Sequence, residues 1–275
     1  MSPAPLGQNF LGDPAWRKRI AEGLPIHAAD TWLEIGAGHG EMTEFLAQRA
    51  TRVIAIELDA QLAAGLRKRA KEDWPNVSVV ESDVLIADLA QLAAENPFRI
   101  YGNIPYYITS PILHRIFALP RQPQSAHLVM QLEVAERLVS PPGHREYGYL
   151  SVATQFYSAP QIQLKIPPGA FRPPPKVDSA LVTLNFPGAN AKLQIRDDAA
   201  FMDFVQLCFA QKRKTLTNNL RAKFAKKKPS RKNSSTTAPT FDLQEILRSA
   251  DISATARAEE LTIVQFASLF HALSA

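Results

Sequence analysis

The chain has 275 residues, with 31 Lys and Arg against 26 Asp and Glu. At 46% apolar and 21% charged residues it can bury a real core, which excludes global disorder, and its length suits about two domains. No apolar run approaches the roughly 20 residues of a membrane span. Six scattered histidines and the lone Cys208 show no ligand spacing, so neither a disulfide nor a metal is expected.

Taken in order, Met1–Pro5 lacks the basic-then-apolar pattern of a secretory signal, and a reducing cytoplasm is the expected compartment. Leu11–Pro14 opens a helix, with Asp13 as N-cap and Pro14 in the first turn. Five β-branched and apolar runs follow: Thr31–Ile35, Val53–Glu57, Val77–Glu81, Phe98–Gly102 and Ala126–Leu132. Helix-period segments at Glu41–Gln48, Ala60–Lys71 and Pro111–Ala118 lie between them. This alternation predicts βαβ units and a mostly parallel sheet, an α/β Rossmann-like arrangement. Proline clusters punctuate residues 141–143, 167–169 and 173–175, before one more strand-like run within Lys176–Phe186. From about Asp197 the pattern is helical, apart from a Lys/Ser/Thr/Pro-rich loop at Lys226–Thr240. The expected plan is an α/β domain over 1–187 and a small helical domain over 188–275.

Three groups of residues at the ends of these strands carry chemistry. Glu34–Glu41 (EIGAGHGE) follows the first strand and opens a helix, so Gly36 and Gly38 allow a tight turn and a close approach to a ligand. A nicotinamide dinucleotide fingerprint would place its third glycine at 41, which is Glu41; the third glycine is Gly40. The ExGxGxG form is typical of S-adenosylmethionine (SAM) sites. Glu57, closing the second strand, is placed to accept from both ribose hydroxyls, and Asp83, after the third, from the adenine amino group.

The fourth strand ends in Asn103-Ile104-Pro105-Tyr106, the [DN]-[LIP]-P-[YF] pattern of amino-group methyltransferases. An exocyclic adenine amine is a poor nucleophile, because its lone pair is delocalised into the ring. The Asn103 side-chain oxygen can accept one N–H, and the Ile104 carbonyl, its direction set in part by Pro105, can accept the other. Tyr106 offers a flat face for an extruded base, worth about 1–3 kcal/mol. Positioning and electrostatics then carry most of the catalysis, and no strong general base is required.

Charge is concentrated elsewhere. Residues 211–232 hold ten basic and no acidic side chains, leaving 21 basic against 26 acidic in the remainder, a net −5. Such a band on an acidic body attracts a polyanion, RNA or DNA being the usual one.

With these motifs in view, the chain resembles the rRNA adenine N6,N6-dimethyltransferases, in particular the bacterial small-subunit (RsmA/KsgA) family. The resemblance rests on Gly7–Leu11 (GQNFL), Glu34–Gly40, Ile56–Asp59, Gly102–Tyr106, Gln131–Arg137, Pro167–Ser179 (PPGAFRPPPKVDS) and Gln211–Leu220 (QKRKTLTNNL). It spans nearly the whole chain, and the last two motifs do not follow from a generic methyltransferase fold. The resemblance implies that Asn9 and Leu11 close over SAM, and that Gly36, Glu57, Asp83 and Asn103 complete the cofactor site. It further implies that Phe171 flanks the target base opposite Tyr106. The implied reaction is dimethylation of two adjacent adenosines in the 3′-terminal hairpin of 16S rRNA, within the small subunit or its precursor. A hairpin loop suits that chemistry, since its bases are already unstacked. Nothing in the sequence demands more than a monomer, and no membrane association is expected. Departures are His39-Gly40-Glu41, Ile104 in place of the commoner Leu, and the basic insertion Lys226–Thr240.

Three other readings compete. A non-enzymatic ribosome assembly factor on the same fold is disfavoured by intact Asn103–Tyr106, Gly36, Gly38 and Glu57. A large-subunit rRNA adenine N6-methyltransferase is opposed by the PPPKVDS and QKRKTL motifs. A nicotinamide oxidoreductase is opposed by Glu41.

Overall fold

A computed structural model describes residues 8–93, 97–211, 213–224 and 243–274. The insertion Lys226–Thr240 lies outside the described residues, as does Gly7 of the GQNFL motif. The chain divides into two compact units, residues 1–136 with 158–187, and residues 137–157 with 188–275.

Among the described residues the first unit holds nine strands: β1 (Phe10–Leu11), β2 (Thr31–Ile35), β3 (Arg52–Glu57), β4 (Val77–Glu81), β5 (Phe98–Asn103), β6 (Ser125–Gln131), β7 (Ala159–Ile166), β8 (Phe171–Arg172) and β9 (Ser179–Asn185). Seven form one sheet in the order β4-β3-β2-β5-β6-β9-β7, and β1 pairs with β8 alone. The first five of the seven run parallel; β9 is antiparallel to both β6 and β7. All five residues of β2 are buried, as expected of a central strand covered on both faces, and the polar Thr31 and Glu34 are buried with Trp32, Leu33 and Ile35. The five runs expected from sequence are all strands, within a residue or so at their ends. β7 escaped because its alternation, APQIQLKI, sits between proline-rich stretches, and its burial does alternate.

Chain order reverses at β2, which lies between β3 and β5. In such sheets ligands bind beyond the carboxyl ends of the strands at this switch point. Register sharpens the placement: Ile35 pairs with both Ile56 and Gly102, so Gly36 emerges between Glu57 and Asn103. The helix Pro14–Gly23 starts as expected, the Asp13 side chain accepting from the Ala15 N–H at 2.8 Å.

The second unit differs from the expected plan. Residues 137–157 were assigned with the first 187, yet the helix Tyr149–Tyr157 packs with the C-terminal helices Asp198–Cys208, Leu216–Phe224, Leu243–Ser249 and Ile263–Ser274. Tyr147, Val152 and Phe156 share one apolar cluster with Phe201, Val205, Cys208, Leu220 and Phe266. The buried Tyr147 hydroxyl donates to the Leu261 carbonyl at 2.9 Å. The apolar faces of these helices bury one another across more than a hundred positions of sequence, which no local pattern reveals. Cys208 is wholly buried here, a core residue as its apolar neighbours suggested.

Candidate active site

The glycine loop is built by local sterics. Gly36 and Gly40 have φ of +69° and +87°, in the left-handed region that favours glycine. A side chain at Gly40 would also meet Leu66 at 2.9 Å and Trp74 at 3.0 Å, so this glycine lets the loop pack on the following helix. At Gly36 the nearest atom to an added Cβ is the Asn103 carbonyl at 3.9 Å, which leaves the ligand side open. Beneath the loop, Glu34 is buried and accepts from the Thr43 hydroxyl at 2.6 Å. Burial pushes its carboxyl up to about 8, partly offset by the Thr43 hydrogen bond and reinforced by the nearby charges of Glu41 and Glu57. Glu34 is therefore a neutral acid that braces the loop at neutral pH.

Glu57 is also buried, but both its oxygens are engaged. Oε2 accepts from the Gly38 N–H at 2.8 Å and Oε1 from the Asp59 N–H at 2.9 Å. Each oxygen has a further lone pair, so the carboxylate is oriented by the backbone and can still accept from a ligand. Asp83 is held in a similar way, its Oδ1 accepting from the Leu85 N–H at 2.9 Å.

At the end of β5, the Asn103 Nδ2 donates to the Asn9 carbonyl at 2.8 Å. This contact orients the amide and leaves Oδ1 as the acceptor for an incoming N–H. The Ile104 N–H donates to Val129 at 3.0 Å, and a turn closed by Ile108 N–H to Pro105 O at 3.1 Å carries Tyr106 out of the strand. The Tyr106 hydroxyl lies 2.7 Å from the Ser179 hydroxyl. Burial raises the Tyr106 phenol above its ordinary value and the Ser179 contact draws it part of the way back, so it stays protonated at neutral pH.

Two adjoining cavities run along these strand ends. One is walled by Asn9, Phe10, Gly36, Gly38, Glu57 and Asn103–Tyr106. The other is walled by Ile56, Glu57, Leu58, Ser82, Asp83, Val84 and Tyr107. Together they present a glycine turn, then a carboxylate, then an apolar slot ending in a second carboxylate. That sequence of chemistries fits an amino-acid tail, a ribose and an adenine in turn. The buried Tyr101 hydroxyl, which has no hydrogen-bond partner among the described residues, borders a further recess with Glu34, Gly38 and Asn103 and offers an additional donor.

The structure thus brings together Asn9, Gly36, Gly38, Glu57, Asp83, Asn103, Ile104, Pro105 and Tyr106. Two expected residues sit otherwise. Leu11 is buried and pairs with Phe171 in the small β1–β8 ribbon; it borders the recess under the loop instead of covering the main cavities. Phe171 is wholly buried in an apolar cluster with Trp32, Leu181 and Ile166 and lines neither main cavity, so in this conformation it offers no face to a base. Its flanking prolines and its match to a motif marked it in sequence; only the β1–β8 pairing shows that the ring points into the core. Conversely, the Asn9 carbonyl and Ser179 escaped assignment. A backbone acceptor leaves no trace in residue type, and Ser179 was one letter of a longer motif.

The QKRKTLTNNL motif divides between fold and surface. Leu216 and Leu220 are core, Thr217 donates to the Ala254 carbonyl at 3.1 Å, and buried Asn219 donates to the Cys208 carbonyl at 2.7 Å. Arg213, Lys214 and Arg221 are exposed.

Comparison with known proteins agrees with this geometry. The sequence profile described as ribosomal RNA adenine dimethylase matches residues 4–267. A protein of Acidobacterium capsulatum named ribosomal RNA small subunit methyltransferase A is 42% identical over 98% of this chain and 90% of its own length. A protein of the same name from Alkaliphilus metalliredigens is 38% identical over 96% and 89%. Among solved structures, a dimethyladenosine transferase of Plasmodium falciparum superposes with a TM-score of 0.79 at 25% identity, covering 96% of this chain and 97% of that one. The 23S rRNA methyltransferase ErmE gives 0.70 at 29% identity, over 97% and 100%. Strand-end chemistry, sheet order and near-complete sequence coverage converge: the chain belongs to the ribosomal RNA adenine dimethylase family, a SAM-dependent rRNA adenine dimethyltransferase on a Rossmann-like α/β fold.

Proposed function

We propose that this protein dimethylates the N6 amines of two adjacent adenosines in the 3′-terminal hairpin of 16S rRNA during small-subunit assembly, acting as a cytoplasmic monomer. The choice of subunit follows the small-subunit names of the near-full-length relatives. No described helix is long and apolar enough to cross a membrane.

One observation carries the reading of the site: the Asn9 carbonyl holds the Asn103 Nδ2, so Oδ1 is left to accept a proton of the target amine. The Ile104 carbonyl, on a residue whose N–H donates to the Val129 carbonyl, accepts the second N–H. With both N–H bonds engaged, the nitrogen lone pair is directed away from them, out of conjugation with the ring. Tyr106 supplies the stacking plane. Gly36 and Gly38 would hold the amino-acid end of SAM, Glu57 its ribose hydroxyls and Asp83 its adenine amine, with Asn9 of the N-terminal segment across the opening. SAM supplies a methyl group already activated on a sulfonium centre. Asn103 and Ile104 therefore work by preorganised polar contact, and the alkylated nitrogen can lose its proton to water. In the second unit, Arg213, Lys214 and Arg221 are the described side chains placed to meet phosphates.

The test uses purified protein, radiolabelled SAM and unmethylated small subunits, with large subunits as control and nucleoside analysis of the product. Dimethyladenosine confined to the small-subunit hairpin is the expected result. Label in large-subunit rRNA alone would reassign the target, and no label with retained subunit binding would make the protein an assembly factor.

A further inference from the structure

We propose that Ser179 is a positioning residue for methyl transfer: its buried hydroxyl anchors the far end of the Tyr106 ring on which the target adenine stacks. The proposal rests on Tyr106 being the stacking plane.

The two ends of this contact are unequal in rigidity. Ser179 is wholly buried at the start of β9, with Gln131 of β6 opposite it on one side and Ile166 of β7 on the other. The preceding residue is pinned too, because the Asp178 carbonyl accepts from the Leu132 N–H at 2.9 Å. The Ser179 hydroxyl is thus a fixed point on an interior strand. Tyr106 rides on a three-residue helical turn, Tyr106–Ile108, that has no side-chain cap. Backbone hydrogen bonds locate its Cα, but χ1 would remain free to swing the ring. A hydroxyl tethered 2.7 Å from Ser179 fixes the far end of that ring.

Such a tether matters here because the opposite wall gives no help. Phe171, the aromatic expected to face Tyr106 across the base, is buried in the core. The position of the base, and with it the reach of the amine toward the Asn103 oxygen, then depends on the Tyr106 ring being in place before the base arrives. Displacements on the order of 1 Å can cost a hundredfold in rate, so a single hydrogen bond that stops the ring from swinging about χ1 has a kinetic consequence.

The experiment is a double-variant cycle on the full-length protein with small subunits as substrate. Ser179→Ala and Tyr106→Phe cut the same bond from opposite ends. Each is expected to lower kcat about three- to tenfold, as for loss of one hydrogen bond, with the KM for SAM unchanged. The double variant should be no slower than the worse single one. Ser179→Thr, which keeps a hydroxyl, should restore the rate. If the buried site rejects the added methyl group, Tyr106→Phe still tests the bond without touching the sheet. As a direct readout, an RNA hairpin carrying 2-aminopurine at the target position should be quenched less on binding to either single variant.

Multiplying losses in the double variant, or a fall in SAM affinity and Tm with kcat unaltered, would make Ser179 a structural residue only and overturn the proposal. Tyr106→Ala separates the two layers. If it turns over like the parent, the stacking plane itself is wrong. If it is crippled while Tyr106→Phe and Ser179→Ala are not, only the role of Ser179 falls.

Discussion

The strand-end loops of the first unit and the Gln211–Leu220 segment of the second are both dense sequence motifs, yet they use their residues in opposite ways. At the strand ends, backbone groups serve side chains. Glu57 is aimed by the Gly38 and Asp59 N–H groups, and Asn103 by the Asn9 carbonyl, so that polar atoms face a cavity. In the helical segment the side chains serve the backbone. Asn219 and Thr217 donate to the Cys208 and Ala254 carbonyls, Leu216 and Leu220 fill the core, and Arg213 and Lys214 reach solvent with Gln211 and Asn218. A motif therefore does not say whether its polar residues meet a ligand or satisfy the chain; burial and hydrogen-bond partners do.

That contrast can be broken from either side. The largest expected effect is at Asn103. Asn103→Ala should lower kcat by about two to three orders of magnitude, as for loss of one preorganised polar partner, with subunit binding nearly intact. Turnover like the parent's would remove Asn103 from the chemistry. Next, Glu57→Ala should raise the KM for SAM by about ten- to a hundredfold, the range for a hydrogen bond to a charged group, and move the KM for RNA far less. The reverse pattern would sink the ribose assignment.

In the second unit the prediction is a dissociation of stability from binding. Asn219→Ala removes the buried amide donor to the Cys208 carbonyl and should cost about 0.5–1.5 kcal/mol of stability, read by denaturant unfolding. Arg213→Ala or Lys214→Ala should leave stability unchanged and lower the salt slope of subunit binding by about one each. If Asn219→Ala instead changed the salt slope, the segment would be an RNA surface throughout.

The last expected effect, read as a pH dependence, is at Glu34. Its folded carboxyl titrates at about 8 against 4.5 ordinarily, so the folded state keeps a proton that the unfolded chain releases. The stability linked to that proton is full below about pH 4.5 and is lost as the pH rises to about 8. Glu34→Gln cannot ionise, and its Tm should fall less than the parent's between about pH 5 and pH 8. An equal fall would mean that Glu34 is ionised in the folded protein.

Much of the site was legible in the sequence, because the residues in question are placed by short-range rules. A strand followed by a positive-φ glycine, a carboxylate one residue beyond the register of Ile35, and a proline-directed turn each act within a few positions of the chain. Phe171 was misplaced for the complementary reason. Its side-chain direction is set by antiparallel pairing with Leu11, 160 residues earlier, and a two-residue strand carries no periodicity. The single boundary at 187 failed likewise, since residues 137–157 bury their apolar face against helices that begin beyond residue 190.

By itself, then, the sequence determined the βαβ order, the strand-end residues that line the cavities, the Asn103–Tyr106 tetrapeptide among them, and the family, all features written in local spacing and residue chemistry. Only the tertiary structure decided which way the Asn103 amide faces, that Phe171 lies in the core, that Ser179 meets Tyr106, and which letters of the basic motif are fold and which are surface. Those outcomes depend on contacts between distant segments, where packing and the need to satisfy every buried polar group choose among side-chain directions that the local sequence leaves equally open.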